Sequence, residues 1–236
     1  MSNFTYIGEE LDTFAEAINW KTYVKTLIDE FIQGYVLEVG AGIGSNTTIL
    51  INSQYHQWLC LEPDDKLLQS LRLTLNSPQF INHYTQNGTI SILRGEQLFD
   101  SILYIDVLEH IEMDREELIK AAQLLNNHGN LVILSPAHQC IFSPFDLAIG
   151  HYRRYNKSMI KKILPDNIKI INLVYLDCVG LLASIINKSI LQQSMPSIQQ
   201  IRFWDRYMVP ISIRLDSFLH YRFGKSILLI GRKVEK

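Results

Sequence analysis

Hydrophobic and polar positions follow two different periods along the chain, which predicts strands that alternate with helices. Short apolar runs typical of buried strands occupy 35–39, 57–62, 80–84, 99–106, 130–135, 167–176 and 226–232. Apolar residues at helical spacing occupy 11–33, 64–76, 114–126 and 157–164. Asp114 and Glu117 have the spacing of a capping box at the start of the third of these helices. Strands joined by helical crossovers predict an α/β fold with a doubly wound sheet.

Residues 178–222 depart from this alternation, because they are mainly helical by pattern and rich in apolar and aromatic side chains. We interpret them as a helical cap inserted into a single domain. The rest of that domain is a helical N-terminal segment (1–34) and a cofactor-binding core formed by 35–177 and 223–236. The apolar run Val174–Leu191 is typical of a core helix, and a substrate-pocket wall or a contact with a membrane surface are its alternatives.

A glycine-rich turn follows the first strand, in the sequence Glu38-Val39-Gly40-Ala41-Gly42-Ile43-Gly44. Glycines suit a turn that needs positive φ angles and lets a ligand approach the backbone. Glu62 ends the second strand, where a carboxylate can bind the hydroxyls of a ribose. Together these features predict an adenosine-containing ligand. The third glycine comes one position earlier than in the G-x-G-x-x-G pattern of nicotinamide dinucleotide sites.

The glycine turn, Glu62 and the block Ile105–Ile111 together resemble a class I S-adenosylmethionine-dependent methyltransferase. The resemblance covers about residues 14–177 and the last strand. It implies a Rossmann-like, seven-stranded mixed sheet whose final strand is antiparallel. It also implies S-adenosyl-L-methionine as cofactor and S-adenosyl-L-homocysteine as product. Asn19-Trp20 and the segment 150–155 resemble one subgroup of this family, in which the methyl acceptors are poorly defined.

The resemblance also implies roles for individual residues of the cofactor site. The three glycines of the turn would hold the methionine part, Glu62 the ribose, and the segment 88–90 the adenine. Asp106 would line the cofactor after the fourth strand, and His110 would lie near its amino-acid end; a helix-capping or hydrogen-bonding role is the alternative for both. The expected cofactor-binding residues are therefore Glu38, Gly40, Gly42, Gly44, Glu62, Gly88, Thr89, Asp106 and His110.

Candidate acceptor residues gather in the polar and aromatic loop 137–156, which follows the fifth strand. A histidine with a pKa near neutrality can act as a general base, and adjacent arginines can bind a carboxylate. Local pairing with Asp146 is the alternative role of the arginines. A metal site built from His138, Cys140 and His151 lacks ligand spacing, so no metal is expected. The catalytic candidates are His151, His138 and Arg154, and the substrate-binding candidates are Arg153, Arg154, Tyr155 and Trp20.

Charge and composition narrow the classes of partner. The chain has 22 basic and 24 acidic residues and a formal net charge of −2, which argues against a nucleic-acid partner. Three isolated cysteines and the absence of a secretion signal in the sequence predict a cytoplasmic protein. No apolar window is long enough to cross a bilayer, so no transmembrane segment is expected. The sequence does not specify an oligomeric state.

These observations predict a methyltransferase that uses S-adenosylmethionine on a small-molecule or peptide natural product. Oxygen is the favoured acceptor atom, with a carboxylate ahead of a hydroxyl because of the arginine-rich loop. N-methylation of a small molecule is the alternative within the class. Alternatives from other classes are an NAD(P)-dependent oxidoreductase and a non-catalytic adenosyl-binding module.

Overall fold

The computed structural model describes residues 5–8, 10–95, 97–188 and 195–235, which include one seven-stranded sheet. The strand order is β3-β2-β1-β4-β5-β7-β6. β7 is antiparallel to both of its neighbours, and the other pairs are parallel. The predicted α/β fold with a mixed sheet is confirmed. The strands are β1 (Gly34–Val39), β2 (Tyr55–Glu62), β3 (His83–Asn87), β4 (Phe99–Ile105), β5 (Leu125–Pro136), β6 (Ile168–Leu176) and β7 (Ser226–Lys233).

Helices cover both faces of this sheet. The α-helices are α1 (Leu11–Ala15), α2 (Ile18–Ile28), α3 (Thr47–Leu50), α4 (Asp65–Leu75), α5 (Asp114–Leu124), α6 (Pro144–Ala148), α7 (Lys157–Ile163), α8 (Cys178–Ile186), α9 (Ile198–Phe203) and α10 (Val209–Phe218). Short 3₁₀ turns occur at Asp29–Phe31, Ile90–Ile92, Leu108–His110 and Gln139–Ile141, and a π-helical turn at Trp204–Met208 joins α9 to α10.

Two hydrophobic clusters lie on opposite faces of the sheet, because successive strand residues point to opposite sides. Along β1, Val36 belongs to one cluster and Leu37 to the other. The first cluster joins the sheet to α2, α4 and the cap, and the second joins it to α5 and α7. Both faces of each central strand are therefore buried, which explains the continuous apolar runs in the sequence.

Three predicted elements differ from the structure near their ends. The predicted helix 11–33 is divided into α1 and α2, and Lys21 Nζ donates to the carbonyl oxygens of Phe14 and Ala15 at the end of α1. The third strand begins at His83 rather than at residue 80, because Asn82 has a φ of 54° and interrupts the extended backbone. The fifth strand begins at Leu125, before an irregular register that skips from Leu125 to Asn130.

The predicted capping box of α5 is wrong. Met113 is the N-cap residue of this helix, and no side chain caps it. The Asp114 carboxylate instead accepts hydrogen bonds from Tyr155 Oη at 2.8 Å and from Arg153 Nη1 at 2.5 Å. The loop 137–156 also contains the short helix α6, which begins with a capping box formed by Ser143 and Asp146.

Buried carboxylates attach the cap to the rest of the molecule. Asp205 accepts hydrogen bonds from the backbone N–H groups of Asn19 and Trp20, at 3.1 and 2.8 Å. Asp216 accepts from the N–H groups of Asp177 and Cys178 and from Tyr23 Oη. The cap is thereby fixed to α2 and to the end of β6, and the buried side chains of Ile201, Trp204 and Val209 belong to the first hydrophobic cluster.

Glu38 on β1 is a buried acid in the first cluster, at 2% exposure. Its Oε2 accepts a hydrogen bond from Trp58 Nε1 at 2.9 Å. Burial raises the pKa of Glu38 to about 7, against the effect of its hydrogen bonds. Because the folded-state pKa lies above the unfolded value of 4.5, the folded protein holds this proton more tightly. The resulting stability is present below pH 4.5 and is lost as the pH rises through 7.

We therefore expect Glu38→Gln to flatten the dependence of stability on pH. Between pH 5 and pH 8, the free energy of unfolding of the wild type should fall by about 2 kcal/mol more than that of the variant. Urea denaturation at the two pH values measures both. Parallel pH profiles for the two proteins would show that Glu38 is ionised in the folded state.

Candidate active site

A cavity of about 880 Å³ lies beyond the carboxyl ends of β1, β4 and β5. The strand order reverses between β1 and β4, and ligands of open α/β sheets bind at such a switch point. The volume is within the range of small-molecule sites. Gly40, Asp106 and Pro136 line the cavity at the ends of these strands, and the cap contributes Ala183 and Trp204, among others.

The glycine turn after β1 forms one wall of this cavity. Gly40, Gly42 and Gly44 have φ angles of 67°, 58° and 84°, a region that favours glycine. A Cβ atom on Gly40 would lie 2.8 Å from the methyl groups of Val107, and one on Gly44 would lie 2.8 Å from Leu71 Cδ1. Gly40 and Gly42 line the cavity, whereas Gly44 packs against α4. The turn therefore presents bare backbone to a ligand.

Glu62 holds this turn in place from the end of β2. Its Oε2 accepts a hydrogen bond from Gly42 N at 2.8 Å, and its Oε1 accepts one from Asp64 N at 2.9 Å. Each oxygen can accept a further hydrogen bond, which suits two ribose hydroxyls. Burial raises the pKa of Glu62, and the carboxylate is only 4% exposed.

The N-terminal segment covers this region. The backbone N–H of Tyr6 donates to Asp64 Oδ2 at 2.9 Å, and the Tyr6 hydroxyl donates to Glu10 Oε1. The Tyr6 ring lies 5.6 Å from the ring of His110. Tyr6 and Glu10 both line the cavity. The segment therefore lies between the glycine turn and solvent.

The remaining predicted cofactor residues lie in different surroundings. Glu38 is in the core. Gly88 N donates to the carbonyl oxygen of Glu62 at 3.2 Å, and Thr89 caps the following 3₁₀ turn. These two residues follow β3 and do not line the cavity in the part of the chain that the structure describes. The cavity walls include Gly40, Gly42, Asp106 and His110, whereas Glu62, Gly88 and Thr89 lie together beside the turn.

Three acidic or basic side chains enter the cavity from the segment after β4. Asp106 has a φ of 54°, and enclosure by the surrounding protein raises its pKa to about 6, while His151 lowers it. Glu109 is fully buried, and its Oε2 accepts from Ser135 Oγ at 3.0 Å. Glu109 Oε1 has no hydrogen-bond partner among the described residues. Burial, and next the neighbouring His151, lower the pKa of His110 to about 3.

His151 and Asp146 form a hydrogen-bonded pair on the same cavity. His151 Nδ1 lies 2.9 Å from Asp146 Oδ1, and its Nε2 lies 3.8 Å from Glu109 Oε1. Arg154 Nε donates to the same Asp146 oxygen at 2.7 Å, and Ser143 N donates to Oδ2. Burial opposes ionisation of Asp146, but the hydrogen bonds from His151 and Arg154 lower its pKa to about 2. The imidazole is therefore backed by a fixed negative charge.

The same cluster has donor atoms suited to a cation. One ligand atom each from Glu109, His110 and His151 lies within 4.8 Å of the others. Imidazole and carboxylate groups are ligands of divalent transition metals. Glu109 is not among the site residues predicted from the sequence, although it lies within the block 105–111 that carries the family resemblance.

The other candidates from the loop 137–156 fall into two groups. Arg154 and Trp20 line the cavity. Arg153 and Tyr155 bind Asp114, and His138 Nε2 lies 3.0 Å from the carbonyl oxygen of Gly224. None of these last three lines the cavity in the described part of the chain. The cavity is also lined by two lysines that are not among the site residues predicted from the sequence, Lys21 and Lys225. Lys225 Nζ lies 3.4 Å from the centre of the Trp204 ring.

A family model of the methyltransferase domain matches residues 37–133, which run from β1 to β5 and include the glycine turn, Glu62 and Asp106. Residues 37–133 are therefore a methyltransferase domain, and the seven-stranded fold that contains them is that of S-adenosylmethionine-dependent methyltransferases. The resemblance seen in the sequence is thus confirmed. No curated protein matches the chain.

Solved structures share the fold of this methyltransferase across most of its length. The YcgJ protein from Bacillus subtilis has 14% identity and a TM-score of 0.61, over 92% of this chain and 99% of that chain. N-methyltransferase NodS from Bradyrhizobium japonicum, in complex with S-adenosyl-L-homocysteine, has 13% identity and a TM-score of 0.56, over 92% and 86%. The [4+2]-cyclase SpnF has 11% identity and a TM-score of 0.63, over 98% and 96%. One of these proteins is named a cyclase, so the shared fold does not specify the acceptor chemistry of the methyltransferase.

We expect Glu62→Ala to weaken cofactor binding by about 1–3 kcal/mol, because the carboxylate both holds Gly42 N and can bind the ribose. Calorimetric titration with S-adenosyl-L-homocysteine measures the loss. Asp65→Ala, a change to an exposed acid at the start of α4, is the matched control and should keep the wild-type affinity. Unchanged affinity in the Glu62 variant would mean that the ribose binds elsewhere.

Proposed function

We propose that this methyltransferase transfers a methyl group from S-adenosylmethionine to the hydroxyl oxygen of a small-molecule acceptor. The observation that carries the proposal is the pairing of His151 with Asp146 on the cavity that the glycine turn lines. A histidine held by a buried carboxylate can take a proton from a hydroxyl group. Such a base is of use to a hydroxyl acceptor, which has a proton to lose.

The residues of the cavity, together with Glu62 beside the glycine turn, fit the cofactor. The methionine part would lie on the bare backbone of Gly40 and Gly42, and Glu62 would bind the ribose. Asp106 and Glu109 would oppose the positive charges of the ammonium and sulfonium groups. The unpartnered oxygen of buried Glu109 supports this fit, because a buried carboxylate oxygen without a partner is unfavourable. When bound, S-adenosylmethionine supplies an activated methyl group.

His151 acts as the general base in this proposal. Asp146 fixes the ring through Nδ1 and stabilises the imidazolium that forms when Nε2 takes the acceptor proton. Glu109 Oε1 lies 3.8 Å from Nε2, and burial raises the pKa of this carboxyl well above its usual range. The main contribution of the protein is to hold the acceptor oxygen in line with the methyl group, and such positioning lowers barriers by roughly 7–11 kcal/mol.

The pairing of the loop arginines removes the reason to expect a carboxylate acceptor. That expectation rested on Arg153 and Arg154. Arg153 pairs with Asp114, and Arg154 pairs with Asp146. The cavity is lined by acids and also by two lysines, so its charges do not select between a neutral and an anionic acceptor. A hydroxyl acceptor has a proton for His151 to take, whereas a carboxylate has none.

The test is methyl transfer from labelled S-adenosylmethionine to panels of alcohols and phenols, carboxylic acids and amines, with the purified full chain. We expect label in the alcohols or phenols only. Label in the acids or amines alone would overturn the hydroxyl assignment, and label in none would favour an adenosyl-binding module. Heat of binding with NAD(P) but not with S-adenosyl-L-homocysteine would favour an oxidoreductase.

A second arm of the test addresses the donor cluster of Glu109, His110 and His151. We expect activity to persist after treatment with EDTA, because the proposed step is proton transfer to His151. Activity that disappears with EDTA and returns with a divalent cation would mean that these side chains hold a metal instead.

A further inference from the structure

The cap exposes a stripe of large apolar side chains along one continuous helical segment, from α9 through the π turn to α10. The stripe consists of Phe203, Tyr207, Ile211, Leu215 and Phe218. Their spacing of three or four residues places them along one side of the helix. Phe218 is 79% exposed and Phe203 is 58% exposed. A stripe this apolar on an exposed helix is a mark of an interaction surface.

The opposite side of the same segment is already used for packing. Val209, Ser212 and Asp216 are fully buried against the rest of the protein. Trp204 packs against Trp20 on α2, with ring centres 5.8 Å apart. The segment therefore has one side in the core and a second apolar side that faces outward, so core packing does not explain the stripe.

The exposed charged side chains that the cap itself contributes over residues 195–223 have one sign. Residues 195–223 contain four arginines, and all of them are exposed: Arg202, Arg206, Arg214 and Arg222. The two acids of the same range, Asp205 and Asp216, are buried and bind backbone N–H groups. Arg202 pairs with Glu16, and the Arg206 guanidinium lies over the Tyr207 ring. The outward side of the cap is thus apolar and cationic, although the whole chain has a net charge of −2.

We propose that this side of the cap docks on the surface of an anionic lipid bilayer. A helix that lies in a membrane interface has aromatic and aliphatic residues on one face and basic residues beside them. No helix among the described residues is long and apolar enough to cross a membrane, so the contact is peripheral. Acidic headgroups match the arginines in charge, and the apolar stripe matches the boundary with the acyl chains.

The stripe also borders the cavity. Phe203 belongs to the stripe and lines the cavity, and α8 places Ala183 and Ser184 on the cavity and Leu182 and Ile186 on the outside. A hydroxyl compound with an apolar tail could reach the cavity from the bilayer along this edge. The proposal of a docking surface depends only on the residues of the cap. The proposal of an amphiphilic acceptor depends also on the proposed function.

The experiment is co-sedimentation of the full chain, without cofactor, with vesicles of phosphatidylcholine and with vesicles that also contain phosphatidylserine. We expect binding to the anionic vesicles only, weakening as salt is added. The double variant Ile211→Ser/Phe218→Ser should bind at least about tenfold more weakly, because it removes buried apolar area. The matched control Leu73→Ser/Ile81→Ser changes exposed apolar residues far from the cap and should bind like the wild type.

The charge requirement is tested separately. Arg214→Gln and Arg222→Gln should each weaken binding to the anionic vesicles by about fivefold. Each variant is first shown to keep the wild-type melting temperature and affinity for S-adenosyl-L-homocysteine, so that a loss of vesicle binding reports on the surface. Because no acceptor or methyl transfer enters this assay, its result is independent of the proposed reaction.

Three results would overturn the proposal. The first is failure of the wild type to bind phosphatidylserine vesicles, and the second is equal binding by the Ile211/Phe218 variant. The third is a concentration-dependent increase in mass in sedimentation of the free protein that the same variant abolishes, which would assign the stripe to contact with a second copy of the chain.

Discussion

Replacing His151 with alanine is expected to lower kcat by about 10²–10⁴-fold while leaving the affinity for S-adenosyl-L-homocysteine within a few-fold of the wild type. This range is the usual contribution of a general base. The variant removes the imidazole whose Nδ1 lies 2.9 Å from Asp146 and which takes the acceptor proton in the proposed reaction. Initial rates with a hydroxyl acceptor over a range of pH measure the loss.

His138→Ala is the matched control for this prediction. His138 belongs to the same region of sequence, but its ring binds the carbonyl oxygen of Gly224 and stacks near Tyr175. We expect kcat to change little in this variant. A wild-type kcat for His151→Ala would exclude the proposed base. A kcat that falls equally in both variants would point to a general loss of structure in the loop.

Replacing Asp216 with alanine is expected to lower the free energy of unfolding by about 3–5 kcal/mol. The carboxylate is fully buried and accepts hydrogen bonds from the N–H groups of Asp177 and Cys178 and from Tyr23 Oη. Removing it leaves these donors buried without an acceptor, and each costs about 1–3 kcal/mol. Urea denaturation measures the change.

Asp166→Ala, a change to an exposed acid in the connection between α7 and β6, is the control and should alter stability by less than about 0.5 kcal/mol. Asp216→Asn is a second comparison. It keeps one oxygen acceptor, so we expect it to be more stable than the alanine variant. Equal stability of the wild type and Asp216→Ala would mean that apolar packing and the hydrogen bonds of Asp205 hold the cap without Asp216.

The sequence was sufficient for the fold and for the place of the glycine turn at the end of β1. Strands buried on both faces are continuous apolar runs, and glycines with positive φ, such as Gly40, mark the turn directly. Element ends were less predictable, because they depend on tertiary contacts. Asp114 was expected to cap a helix, but it binds Tyr155 and Arg153 from a distant part of the chain.

The acceptor side of the site was predicted only in part. His151 and Arg154 were selected as single residues, and the structure adds that both bind Asp146. That arrangement depends on the position of α6 within the loop 137–156, which no periodic pattern in the sequence predicts. Glu109 was not selected because its importance comes from burial and from one oxygen without a partner. Arg153 is the opposite case, because it was selected from the sequence but its charge is paired with Asp114.

Because Tyr6 is hydrogen-bonded to Asp64, the measured affinity for the cofactor should be lower than the intrinsic affinity of the open site. Glu62 is 4% exposed, and Tyr6 is bound two residues further along the chain, so we expect a nucleoside to reach the carboxylate only when this hydrogen bond is broken. The measured dissociation constant is then the intrinsic one divided by the open fraction. In stopped-flow mixing, the observed rate should level off at the opening rate as the nucleoside concentration increases. The segment that precedes β1 would thus limit the rate at which S-adenosyl-L-homocysteine is replaced by S-adenosylmethionine.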